Sequence, residues 1–111
     1  MIYSRWDIVA VEFPFVEATG SKRRPGLIVS SDRLYSDYGW YWIAMITTAK
    51  SGRLSDDIAI TNHERMNLPE DCFIRTAHIA AVSDAQISRR IGTISPKDRI
   101  AVSGRLKRFM P

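Results

Sequence analysis

The chain has 111 residues, of which 45% are hydrophobic and 25% charged, with a formal net charge of +4. This is the size and balance of one globular domain, expected over residues 1–111, that buries a core without staples. No apolar run approaches the ~18 residues of a membrane-spanning helix, and with Cys72 as the lone cysteine there is no internal disulfide and no zinc cluster. The first residues lack the apolar stretch of a secretory signal, so the expected location is the cytoplasm, with no membrane partner.

Asp7 to Phe13 is rich in β-branched and aromatic residues and reads as a buried first strand ended by Pro14. Phe15 to Arg24 is a polar, charged loop. Pro25 to Ser30 is a second strand whose leading proline is tolerated at the first position. Ser31 to Tyr35 is one helical turn or a turn. Trp40 to Thr47 is a third strand. In it Trp40 and Trp42 share one face and Tyr41 takes the other, so only part of the trio can serve as a base-stacking or partner surface.

Ala49 to Asp57 is a polar connection. A short strand at Ile58 to Ile60 follows, then a helical turn opened by Thr61 to Glu64. Cys72 to His78 is another strand, which Ile79 to Val82 either continues or pairs back upon. Ser83 to Ile87 is a turn or short helix, and Arg89 to Ile94 a last strand. Ser95 as N-cap, Pro96 at N1 and Asp98 as the acidic partner of a capping box then start a helix running to about Phe109. Its apolar face is expected from Ile100, Leu106, Phe109 and Met110. Arg105, Lys107 and Arg108 suit its C-terminal dipole. Gly104 inside it costs about 1 kcal/mol relative to Ala and permits a close backbone approach, for instance by a second chain. The pattern predicts a mainly β, α+β fold: a small curved sheet or partly open barrel carrying a terminal helix.

Basic residues cluster at Lys22-Arg23-Arg24, from Lys50 to Arg53, at Arg89-Arg90 and at Arg105 to Arg108. Such clusters are ordinarily solvated surface, but they also suit a nucleic-acid partner. There is no phosphate-binding Gly loop and no dinucleotide fingerprint. His63 and His78 are not at metal-ligand spacing, so neither metal nor cofactor is expected. Chemistry is left to Arg, Thr, His and Glu, an inventory that fits RNA cleavage by the ribose 2′-oxygen. That reaction needs a hydroxyl deprotonated, phosphate charge neutralised and a departing oxygen protonated. An Arg fork suits phosphate. Arg24 stands at the foot of strand two and Thr47-Thr48 at the end of strand three. Strands consecutive in sequence are often neighbours, so these residues are expected near one mouth.

"DIVAVEFPF", "GSKRRPGLIVS" and "ITT", followed by "CFIRT", "RRIGTI" and the terminal helix, together resemble the PemK/MazF family of toxin endoribonucleases from type II toxin–antitoxin modules. The likeness runs in order through nearly the whole chain. It implies an SH3-like or PemK-like barrel of five to seven short strands with a C-terminal helix, in a homodimer. The implied activity is metal-independent cleavage of single-stranded RNA (mRNA) at a short motif, leaving 2′,3′-cyclic phosphate and 5′-hydroxyl ends, with a cognate antitoxin as inhibitor. The resemblance also implies DNA-binding. The family's Arg before Pro falls on Arg24, its strand-three Thr on Thr47, and a second Arg of the PemK-like branch on Arg75. His78 and Glu17 are candidate proton handlers, and Lys22, Arg23, Thr48 and Lys50 candidate RNA contacts. Two positions depart from the pattern: Ala77 replaces the Asp that follows the second Arg, and Thr19 replaces a loop Glu. Three readings stand open at this point: an active ribonuclease, a catalytically impaired module that binds nucleic acid or antitoxin, and an SH3-like protein-binding domain. The plain reading of Arg75 is a strand residue paired with an acid such as Asp71.

Overall fold

The computed structural model describes residues 2–12 and 23–110. The end of the expected first strand and most of the loop after it, including Glu17, Thr19 and Lys22, lie outside the described residues. The elements are β1 (Asp7–Val11), β2 (Arg24–Ile28), α1 (Asp32–Tyr38), β3 (Trp40–Thr48), β4 (Asp57–Ala59), β5 (Cys72–Ser83), β6 (Ile87–Thr93) and α2 (Pro96–Phe109). Six strands form one antiparallel sheet in the order β4-β5-β3-β2-β1-β6. A mainly β fold of five to seven strands with a terminal helix is thus what the chain adopts.

The sheet is covered on both faces, which explains why β1 reads as a continuous apolar run with every residue buried. Alternate residues feed opposite cores. Val9, Val11, Ile28, Tyr41, Ile43, Ala80 and Val82 pack on one face. Ile8, Leu27, Ala44, Ile46 and Ile74 pack on the other, with Val102 and Leu106 of α2 laid over them. β3 alternates as expected, with Tyr41 buried and Trp40 and Trp42 exposed. The buried Tyr41 hydroxyl accepts a hydrogen bond from the Tyr3 amide at 3.0 Å.

β5 is a single strand that continues past His78. Its pairing with β3 jumps from Ala44–Ile79 to Met45–Arg75, so Thr76, Ala77 and His78 form a bulge. A bulge bends its strand, and this one separates the half of β5 that meets β4 from the half beside the start of β3. α1 runs longer than the expected turn. Gly39, at φ 78°, closes it in the left-handed conformation, with its N–H on the Tyr35 carbonyl.

α2 begins as expected, with Ser95 Oγ accepting from the Asp98 amide at 3.2 Å. The Asp98 carboxylate does not complete a capping box. Buried to 2% exposure, it accepts from both the amide and the hydroxyl of Thr61, each at 2.9 Å. Thr61 lies two residues past the end of β4, so this contact ties α2 to the sheet. Of the expected apolar face only Leu106 is buried, packed beside Val102, whereas Ile100, Phe109 and Met110 are exposed. The basic end of α2 does more than offset a dipole, because Arg105 and Arg108 both reach Asp56 Oδ1, at 3.3 and 2.9 Å. Among the described residues, and apart from its own helix backbone and chain neighbours, nothing lies within 4 Å of where a Gly104 side chain would begin.

Gly92 of β6 is the opposite case. A Cβ there would stand 2.8 Å from the Met66 carbonyl oxygen. Gly92→Ala is expected to destabilise the fold by about 1–3 kcal/mol through overpacking against backbone. Chemical denaturation checks this, and an unchanged midpoint would show that the Met66 turn yields without cost.

Candidate nucleic-acid interface

Residues paired across antiparallel strands project to the same face. On the Tyr41 face, one row runs Val9, Gly26, Met45, Arg75, Asp57. The next row begins at Val11–Arg24 and continues with Thr47–Phe73 and Phe73–Ala59. The β2–β3 register, Gly26 to Met45 and Leu27 to Ala44, brings Arg24 level with Thr47 when extended by two residues. Arg24, Thr47 and Arg75 therefore share one face within adjacent rows.

Arg24 is half-buried, and its Nε has no hydrogen-bond partner among the described residues. A buried donor without a partner costs about 1–3 kcal/mol. An anion would satisfy this one.

Arg75 is held differently from the plain reading. Its Nε and Nη2 form a fork on Asp57, at 3.2 and 3.0 Å, and Nη2 also donates to the Gly52 carbonyl at 2.9 Å. Asp57 is 1% exposed and also accepts from the Leu54 amide at 2.8 Å. Bonding to Asp57 raises the Arg75 pKa further, against the effect of burial, so the group stays charged. Nη1 is left over from these bonds. Asp71, the partner expected for Arg75, lies 3.6 Å from His63 Nε2 instead.

His78 projects from the bulge and is half-buried. Burial, and secondarily the Arg75 charge, lower its pKa from 6.5, so it is neutral at pH 7. The folded value lies below the unfolded one, so the unfolded chain binds the proton first. The resulting stability is present above 6.5 and is lost as pH falls through the folded value. His78→Gln is therefore expected to flatten part of the acid-side decline in melting temperature; identical profiles for variant and parent would refute this.

Other expected contacts are scattered. Thr48 follows Thr47 and so projects to the opposite face, while Lys50 and Arg23 are exposed. Ala77 is an exposed member of the bulge between Arg75 and His78. Asp57, Arg53 and Phe73 carry no site role in the sequence reading, although Arg53 ends one of its basic clusters; the Arg53 guanidinium sits 5.2 Å from the centre of the Phe73 ring. The one available signal was Asp57 itself, an acid opening an apolar strand, which requires a charged partner. Burial pushes the Cys72 thiol up, as expected of a small core filler.

On the opposite face lies an apolar groove of about 1090 Å³, lined by Leu34, Tyr38, Trp42, Ile79, Phe109 and Met110 among others. Among the described residues no helix is long and apolar enough to cross a membrane, and no His, Cys, Asp and Glu cluster into a metal site.

A family model for PemK-like, MazF-like toxins of type II toxin–antitoxin systems matches residues 4–110. The chain belongs to this family. A search of curated proteins found no significant match. Solved structures of the PemK/MazF fold superpose on nearly the whole chain. One is MazF from Deinococcus radiodurans, with TM-score 0.78, 13% identity, and 99% of this chain and 97% of that one covered. Mycobacterium tuberculosis toxin MazF-mt6 gives TM-score 0.73, 16% identity and coverages of 94% and 95%. An endoribonuclease from a mycobacterial species, in complex with its cognate antitoxin, gives TM-score 0.73, 14% identity and coverages of 97% and 92%.

Proposed function

We propose that this chain is a metal-independent endoribonuclease that cuts single-stranded RNA by attack of the ribose 2′-oxygen on the adjacent phosphorus. The bond to the 5′-oxygen breaks, leaving a 2′,3′-cyclic phosphate and a 5′-hydroxyl. The observation that carries this reading is the half-buried Arg24, level with Thr47, whose Nε has no hydrogen-bond partner among the described residues. A guanidinium short of a bond in a partly desolvated position is a strong donor to a phosphate whose charge grows in the transition state. The Thr47 hydroxyl donates to the same phosphate, and Arg75, aimed by Asp57, adds positive charge through Nη1. Neutral His78 is suited to accept the 2′-hydroxyl proton, with Glu17 the other candidate. Arg23, Lys22 and Lys50 attract the strand electrostatically.

The chain acts in this reading as one cytoplasmic domain without cofactor, inhibited by a cognate acidic antitoxin, as antitoxin-bound members of the fold suggest. The apolar groove seats a second copy, since Trp42, Ile79, Phe109 and Met110 are all more than a third exposed in the lone chain. Ala77 favours a second reading, a module that binds RNA without cutting it, because the PemK-like branch resembled here carries an acid at that position. Incubating purified protein with a long single-stranded RNA in EDTA separates the two. Discrete cuts with cyclic-phosphate ends support the enzyme. Retention of RNA by folded protein without cuts supports the module.

A further inference from the structure

We infer that Phe73 and Arg53 form a nucleobase-stacking subsite beside the phosphate position, a refinement that rests on the RNA reading above. Phe73 is the ladder partner of Thr47, so their backbones stand one strand spacing, roughly 5 Å, apart and their side chains project to the same face. Arg24 lies on the far side of Thr47. The row therefore presents a cation, a hydroxyl and an aromatic ring in that order. A nucleotide has the same polarity, with its phosphate beside its base.

Three observations mark the ring as a platform rather than core. First, Phe73 belongs to neither apolar cluster, although Cys72 and Ile74 beside it are buried in one of them. Second, its outer neighbour on β4 is Ala59, small and exposed, which leaves that side of the ring open at the sheet edge. Third, the ring is covered by the guanidinium of an exposed residue, Arg53, at 5.2 Å. Arg53 donates a long 3.4 Å bond to the Asp57 carbonyl and follows Gly52, whose φ of 82° places it in a conformation L side chains rarely adopt. An incoming base meets an aromatic face and a planar cation, both of which stack on any base.

The test uses the whole protein and a short RNA containing the mapped cut site, with matched versions abasic on either side of the scissile bond. Non-cleavable versions carry a 2′-deoxy sugar at the cut. Phe73→Leu keeps bulk but removes the π face, and is expected to raise KM and the Kd for the non-cleavable strand about 5- to 100-fold. The loss of kcat should be much smaller. At one of the two positions the abasic substitution should weaken the parent by a similar factor and cost Phe73→Leu almost nothing further. Phe73→Trp should restore affinity, and Arg53→Ala should weaken it without altering the fold. An abasic penalty that persists in full in Phe73→Leu overturns the subsite, as does parental affinity in that variant. If the parent does not cut RNA, the ribonuclease reading fails, and the subsite is judged on non-cleavable strand binding alone.

Discussion

Arg24→Ala is expected to reduce RNA cleavage by at least ~10²–10³-fold in kcat, the usual result of removing a donor aimed at developing negative charge. The fold should not suffer. The Nε that is lost has no hydrogen-bond partner among the described residues, so its removal relieves a desolvation cost. The melting temperature is expected to stay level or rise while activity disappears. Arg24→Lys keeps the charge but not the planar fork, and should recover only a small part of the rate. Single-turnover cleavage and thermal unfolding of the same samples check both halves. Cutting at the parental rate by Arg24→Ala would remove this residue from the site. A large drop in stability would show that its bonds lie within the protein.

Asp57→Ala should give the opposite signature. Its carboxylate accepts from Arg75 Nε and Nη2 and from the Leu54 amide, and it is 1% exposed. Removing one member of a buried pair leaves the other charge uncompensated and typically costs about 3–5 kcal/mol. The Arg75 side chain is 17% exposed, which places the expectation near the lower end, about 3 kcal/mol. Adding Arg75→Met should recover part of that loss, since the stranded charge is removed with its partner. Denaturant titration of the two single variants and the double variant measures the coupling. Additive losses would show that the fork contributes nothing of its own. Asp57→Ala is also expected to impair cleavage in whatever fraction remains folded, because Arg75 loses its aim.

These contrasting outcomes track what the sequence made legible. The strands could be read because sheet faces impose period two, visible in Trp40-Tyr41-Trp42, and because β1 is buried on both sides. The start of α2 was legible because Ser95-Pro96 is local chemistry. What stayed hidden depends on side chains meeting across the sheet. Asp57 and Arg75 are 18 residues apart and pair only because β4 lies against β5. Asp98 looked like half of a capping box until Thr61, 37 residues away, took its carboxylate. The extent of β5 was ambiguous for a related reason: the Thr76–His78 bulge breaks its alternation without ending the strand. Within the site, Arg24 and Thr47 were brought together by strand order alone. Phe73 escaped notice because an isolated Phe in a strand ordinarily means core.

The sheet order has a consequence in time. β1, near the start of the chain, lies between β2 and β6, and its pairing with β6 joins Asp7 to Thr93. The Trp6 carbonyl accepts from the Ile94 amide in the same seam. A ribosome must release β6, about 80 residues after β1, before that edge of β1 finds its partner. Until then the edge is open to pairing with other strands. Closure across so long a separation places folding toward the slow end for small domains, in milliseconds to seconds. Chains cut short before β6 would keep the residues of the Arg24 row yet lack the strand that completes the sheet beneath them.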